Sequence, residues 1–291
     1  MDKKEIADSS KNKTEKMVQK KYGKKRTNEA FVYAKRIKAI LEKMAVEGIN
    51  DVSIKASILK IIDKRPEILM AQLGNQRCNL GMIAADLKAE WFVLKALDYQ
   101  EASLQQDYKG ENIGMHAAQA QLEQATIKAL DNEKASVQQD CIGKNIGMNA
   151  AQAQLEQATI KALENAEASV QKTFCGQNIG MFAAKSGLES ATIKALENAE
   201  ASAQQDYMGR NIGMCAAEMM LEKAALKAIE NPVARSQKND SQETIMAIAQ
   251  EKGLTRVVEA FDKYQAAKKK KNNGAEQHDL SLDDIEQELG L

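Results

Sequence analysis

The residues able to do chemistry on this chain are few and widely spaced. Its 291 residues carry four cysteines, Cys78, Cys141, Cys175 and Cys215, and two histidines, His116 and His278. A cysteine becomes a nucleophile when an imidazole lies within hydrogen-bond reach to take its proton. Zinc needs three or four such donors converging, which a sequence usually announces by tight pairs such as Cys-x-x-Cys. No such pair occurs here, and neither does a phosphate-cradling glycine loop or a Gly-x-Ser-x-Gly turn. Cys141 or Cys215 could reach His116 only if distant stretches of chain met. Carboxylate pairs such as Glu197 and Glu200 fall where helix ends should be and read as solvated. The inventory predicts no catalytic residue, no metal site, no cofactor and no small-molecule substrate. Unpaired cysteines predict reduced thiols and an intracellular protein.

The elements that carry these residues are set by a repeat. Asn79-Leu80-Gly81-Met82 recurs from Asn112, Asn145, Asn178 and Asn211, each step 33 residues without a gap. Every copy is followed one residue later by an alanine pair, from Ala84-Ala85 to Ala216-Ala217, and a sixth, degenerate copy falls on schedule at Thr244–Ala249. Chance would not hold phase over six periods. Within one period, Asn112 is a helix cap for a short helix over 113–120. Leu122, Ala125, Ala129 and Leu130 then mark a second helix. A polar stretch follows, with Asp107, Asp140 or Asp206 three residues before Gly110, Gly143 or Gly209, which is turn chemistry. Such a unit buries its apolar face only by stacking on its neighbours.

Composition agrees. Lys and Arg total 41, Asp and Glu total 41, and only 4% of residues are aromatic. Zero net charge argues against a body built as an electrostatic clamp for nucleic acid or membrane. Two prolines argue for helix, and scarce aromatics fit a core one repeat thick rather than a large globular one. The predicted fold class is all-α: an α-solenoid of 33-residue helix-turn-helix repeats with a helical N-terminal cap.

The period, the Asp-x-x-Gly turn, the capped short helix, the alanine pair and the longer second helix together resemble the ankyrin repeat, over roughly 75–265. Ala183-Ala184-Lys185-Ser186-Gly187-Leu188-Glu189 and the sixth copy, Glu243–Met246 through Gly253–Val258, carry the resemblance most clearly. Two departures matter. The family's Thr-Pro-Leu-His stands here as Asn-Ile-Gly-Met, so the histidine that would tie neighbouring loops is missing. Glycine also replaces a buried leucine, at about 1 kcal/mol against alanine inside a helix. Five copies point to close backbone contact between stacked helices, with Met115 and its equivalents filling the remaining gap.

Outside the repeats, residues 1–27 hold 10 basic and 4 acidic side chains and read as a disordered basic arm. Residues 28–74 read as the cap, with Phe31, Ala34, Ile37, Leu41 and Met44 on one helix face and Ile54, Ile58, Ile61 and Ile62 on the next. The array itself spans 75–267. A linker and acidic tail occupy 268–291, opening with Lys268–Lys271 and Asn272-Asn273-Gly274. The tail, with Glu276, Asp279, Asp283, Asp284, Glu286 and Glu288 among Leu280, Leu282, Ile285 and Leu289, resembles the C-terminal translocation signals of type IV-secreted bacterial effectors.

Near-identical copies separate scaffold from recognition. Residues 112–140 and 145–173 differ at 6 of 29 positions, so the columns that do vary are free of the fold's demands. Variation falls at the turns, in Tyr108, Lys109 and Glu111, then Cys141, Ile142 and Lys144, then Phe174, Cys175 and Gln177, then Tyr207, Met208 and Arg210. It falls also at His116, Asn149, Phe182 and Cys215, and at Gln119, Lys185 and Glu218. The ankyrin resemblance implies that these side chains line one concave face. The expected function is a non-catalytic protein-interaction scaffold, a monomer binding a protein partner through these residues, with a host protein as the partner if the tail is a secretion signal. Two alternatives stand beside it: an adaptor or enzyme-associated protein working through the 28–66 helices, and a nuclear or membrane-surface adaptor using the basic ends.

Overall fold

The computed structural model describes residue 16 and residues 19–272, with side chains as far as 266. The acidic tail, Asn273-Gly274, most of the basic arm and the side chains of Lys268–Lys271 lie outside what it describes. Among the described residues the chain is helical, with one isolated antiparallel bridge between Leu73 and Cys78. It divides into two compact units, Met1–Ala158 and Thr159–Leu291.

The first unit opens with the cap. A helix over Lys24–Glu47 stops at Gly48, whose φ of 65° closes it through a bond to the Met44 carbonyl. Its start precedes the sequence boundary at 28, because Tyr22 packs on the core and Arg26 reaches the buried Glu67 at 3.4 Å. The buried face is Ala30, Ala34, Ile37, Leu41 and Met44. Phe31, expected on that face, is one position off the stripe and exposed. Asp51 caps the next helix, Val52–Lys64, accepting bonds from the amides of Ser53 and Ile54. Ala30, Ile58, Ile62 and Ile68 share one apolar cluster with Leu80, Met82 and Phe92 of the first repeat.

Each repeat holds the two expected helices, for example Ile113–Gln119 and Glu123–Leu130 in the first unit and Ile179–Lys185 and Glu189–Leu196 in the second. It also holds a third that the polar stretch concealed. Asn132 caps the one-turn helix Glu133–Ser136, and Asn198 caps Ala199–Ala203. The last helix, Thr255–Asn272, runs through the lysine cluster expected to begin a linker. Lysine is a good helix former, and cations are favoured at a helix C-terminus.

The cores of both units are alanine and isoleucine. Ile113, Met115, Ala117 and Ala118 are fully buried, as are Ile179, Met181, Ala183 and Ala184. Each buried isoleucine or methionine contributes about 2 kcal/mol of transfer free energy, and the alanines let the helices approach. The glycine has a more specific reason than backbone contact. A Cβ on Gly114 would stand 2.5 Å from Cδ1 of Ile146 in the next repeat and 2.7 Å from Cβ of Ala129. Gly180 meets Ile212 and Ala195 at the same distances. Ile113, Ile146, Ile212 and Ile245 fill the space that the glycine of the preceding repeat leaves.

What replaces the missing histidine is also visible. Asn112 Oδ1 accepts the Met115 amide, while its Nδ2 donates to the Ala135 carbonyl at 3.0 Å and to Gln138 Oε1 at 2.9 Å. Gln138 Nε2 in turn donates to the Leu104 carbonyl one repeat back. Asn178 and Asn211 repeat the pattern with Gln204 and Gln237. Buried amides joined in this way leave no polar atom of the cap without a partner.

Candidate functional site

The variable columns begin at the turns. Asp107 Oδ1 accepts the amides of Lys109 and Glu111, and Asp206 Oδ1 accepts those of Met208 and Arg210. Gly110 closes the first of these turns at φ 83°, a conformation open to glycine at little cost. Adjacent turns are joined by backbone bonds. Tyr108 N donates to Gln76 O and Cys141 N to Lys109 O in the first unit, and Tyr207 N donates to Cys175 O and Asp240 N to Met208 O in the second. Each tip is thus a short loop held at both its base and its side.

Large apolar side chains project from these loops. Tyr108 is 52% exposed and Ile142 47% in the first unit; in the second, Phe174 is 82% exposed, Tyr207 68% and Met208 42%. Lys109, Gln119, Cys141 and Cys175 are exposed beside them. Lys144, Gln177, Phe182, Lys185, Arg210 and Glu218 are half-buried. Four residues expected to meet a partner are instead buried: Glu111, His116, Asn149 and Cys215. Glu111 and Asn149 engage their polar groups with the chain itself. Glu111 Oε1 accepts from Gln119, and Asn149 Nδ2 donates to the Asn145 carbonyl. The first-helix column at 116, 149 and 215 varies because its fillings differ, not because it is solvent-facing.

Below the tips, the same columns build different polar clusters in the two units. In the second, the buried Asp206 Oδ2 lies 2.9 Å from Arg210 Nη2 and 3.5 Å from Lys185 Nζ. Burial works against the Asp206 carboxylate, but the Arg210 guanidinium and the turn amides outweigh it and hold its pKa below the ordinary value. Cys215 beside it is pushed up to about 12 by burial and is held as a thiol.

In the first unit, Asp107 faces His116, whose Nε2 is 3.7 Å from Oδ2, and Cys78 Sγ lies in the same group. His116 Nδ1 is 2.8 Å from Asp86 Oδ1. Burial works to lower the His116 pKa, yet Asp107 and Asp86 raise it to about 9. Burial and the Asp107 charge push the Cys78 thiol up to about 12. These donors escaped the search for tightly spaced ligands. Cys78 and His116 are 38 residues apart, one period plus five, so stacking sets them side by side; reading the spacing modulo 33 would have exposed the pair. Cys78, Asp107 and His116 are thus potential donors brought together by the fold that the search for tight spacing did not find.

No protein-family model matches the chain, and no curated protein does. Solved structures do. The ankyrin repeat domain of Bcl-3, a member of the IkappaB protein family, superposes at a TM-score of 0.56 with 14% identity, over 75% of this chain and 97% of that one. A chain of the Bd0816 predatory endopeptidase from Bdellovibrio bacteriovorus in complex with immunity protein Bd3460 gives 0.49 at 15% identity, over 63% of this chain and 96% of that one. The fold is an all-α solenoid of ankyrin-type repeats.

Proposed function

We propose that the chain is a non-catalytic scaffold, working as a monomer, that binds a protein partner through its turn tips. The observation that carries this reading is the row of exposed apolar tips, Tyr108 and Ile142 in one unit and Phe174, Tyr207 and Met208 in the other. One exposed apolar side chain is ordinary on a protein surface; their recurrence at the same turn of successive repeats is what marks a surface for a partner. If these rings were structural they would be covered by neighbouring turns; Phe174, at 82% exposed, is not. Aromatic, methionine and arginine side chains are enriched at protein interfaces. On loops held by the side chains of Asp107, Asp140, Thr173 and Asp206 they lose little freedom when a partner covers them.

The N-terminal helices share their apolar cluster with the first repeat, which supports a cap rather than a module with its own activity. Part of the basic stretch at 20–26 is already paired, Lys21 with Glu101 and Arg26 with Glu67, which weakens its reading as a free anionic-surface patch. A role as a secreted effector acting on a host protein rests on the composition of the tail.

The test is co-purification from a cell extract with the intact chain and with Tyr108, Phe174 and Tyr207 all replaced by Ala. The tip reading expects the partner to be lost with the triple variant. A partner that survives it, and disappears only when residues 1–70 are removed, would sink the reading and favour the N-terminal alternative. For secretion, deleting residues 276–291 should abolish translocation into a host cell; unchanged translocation removes that role.

A further inference from the structure

Cys78, Asp107 and His116 come from three different elements of the first unit. Cys78 precedes the cap Asn79, Asp107 opens the following turn, and His116 sits in the helix Ile113–Gln119. All three are buried, and a sulfur, a carboxylate oxygen and an imidazole nitrogen lie within 4.8 Å of one another. The His116 side chain is only 8% exposed, and its Nε2 has no hydrogen-bond partner. Protonated, that nitrogen would be a buried donor 3.7 Å from Asp107 Oδ2, too far for a hydrogen bond. Unprotonated, its lone pair would face a carboxylate across the same gap. A cation held between the three groups resolves both difficulties.

We propose that Cys78, Asp107 and His116 bind one divalent transition-metal ion, zinc by the character of the donors, with Asp86 as the positioning carboxylate behind His116. Sulfur, nitrogen and oxygen donors together suit zinc, whereas magnesium and calcium take oxygen alone. Zinc bonds to these atoms are about 2.0–2.3 Å, so donor separations in a tetrahedral shell are about 3.3–3.7 Å, and donors now within 4.8 Å of one another close onto the ion by side-chain movements of about 1 Å or less. A thiolate and a carboxylate balance the double charge, which lets the ion sit in a buried site. Asp86 Oδ1, 2.8 Å from Nδ1, fixes the ring so that Nε2 points at the ion, the usual outer-carboxylate arrangement of metal-bound histidine. Three protein donors leave the fourth position to water.

The second unit supplies an internal contrast. There the column of His116 holds Cys215, that of Cys78 holds Gln177 and that of Asp86 holds Lys185. Asp206, the counterpart of Asp107, has Arg210 and Lys185 as its positive partners. Among the described residues, the second unit answers its turn carboxylate with cationic side chains, whereas the first sets a thiol and an imidazole beside it.

The full chain, made without a histidine tag in zinc-supplemented medium and dialysed into metal-free buffer, is expected to retain one zinc per molecule by elemental mass spectrometry. Cys78→Ser and His116→Asn should lose it, and Asp86→Asn should weaken zinc binding about ten-fold or more. Asn is the residue the next repeat carries at the position of His116, so that variant should keep its helical circular dichroism. Cobalt added to the metal-free chain should give a thiolate-to-cobalt charge-transfer band in the near ultraviolet. Zinc absent from the parent chain, or retained at full stoichiometry by both ligand variants, would overturn the site. Should either variant fail to fold, the cobalt spectrum of the unaltered chain decides, and no thiolate band overturns it.

Discussion

The clusters under the turns at Asp107 and at Asp206 are built on the same backbone and differ in how their buried carboxylate is answered. Both aspartates hold two turn amides through Oδ1 and turn Oδ2 inward. Asp206 finds Arg210 and Lys185; Asp107 finds His116, Cys78 and, behind them, Asp86. The lesson is that a repeat protein carries its own control. What the two units share belongs to the fold, and what they do not share is where a site can be placed.

The largest expected effect tests the shared part. Gly114→Ala and Gly180→Ala each drive a Cβ against an isoleucine and an alanine, at 2.5 and 2.7 Å. Overpacking of this kind costs about 2–3 kcal/mol. Chemical unfolding should give losses equal within about 0.5 kcal/mol for the two, and a large disparity would break the claim that the units share one packing rule.

A smaller effect sharpens the difference between them. Arg210→Met leaves the buried Asp206 carboxylate with Lys185 as its remaining cation, at a cost of about 1–3 kcal/mol. Because the pKa of Asp206 is depressed in the fold, its contribution is present above about pH 4 and is lost as pH falls through the lower folded value. Arg210→Met should therefore lose its penalty in acid, and unfolding midpoints followed from neutral pH downward should converge with the parent. A penalty that persists unchanged in acid would mean that Arg210 acts by packing and not by charge.

The smallest effect concerns the residue between the two helices of each repeat, which is left-handed throughout. The first unit places Lys88, Gln121 and Gln154 there, whereas the second uses Gly187 and Gly253 beside Met220. A side chain in that conformation costs about 1–2 kcal/mol, and glycine loses about 0.4–1 kcal/mol more in unfolded-chain entropy. Gln121→Gly should stabilise the chain by about 0.5 kcal/mol in the same unfolding measurement. A destabilisation would show that Gln121 makes contacts that offset its strain.

The scaffold was legible because it is periodic. Caps, alanine pairs and turn aspartates repeat at 33, and each has a local physical reason to be where it is. The third helix was hidden because Asn132 and Glu133–Ser136 carry too few apolar residues to show a period. Phe31 stands one position off the stripe that Ala30, Ala34, Ile37, Leu41 and Met44 keep at steps of three and four. The tips were legible as variable columns, but variation alone could not separate exposed Phe174 from buried Cys215. His116 shows the limit most clearly. Its partners are set by stacking, so only a reading folded onto the period brings Cys78 beside it.

The amide ladder has a consequence for how such a chain can change its length. Asn112, Asn178 and Asn211 draw their partners from residues 23 and 26 positions downstream, and Gln138, Gln204 and Gln237 reach back to the preceding copy. Inserting or deleting one residue between them would strand two buried amides at once. Inserting or deleting 33 strands none, because the new cap meets an identical glutamine. The near-identity of 112–140 and 145–173 fits such whole-unit steps, since a copied unit brings its own cap and its own glutamine.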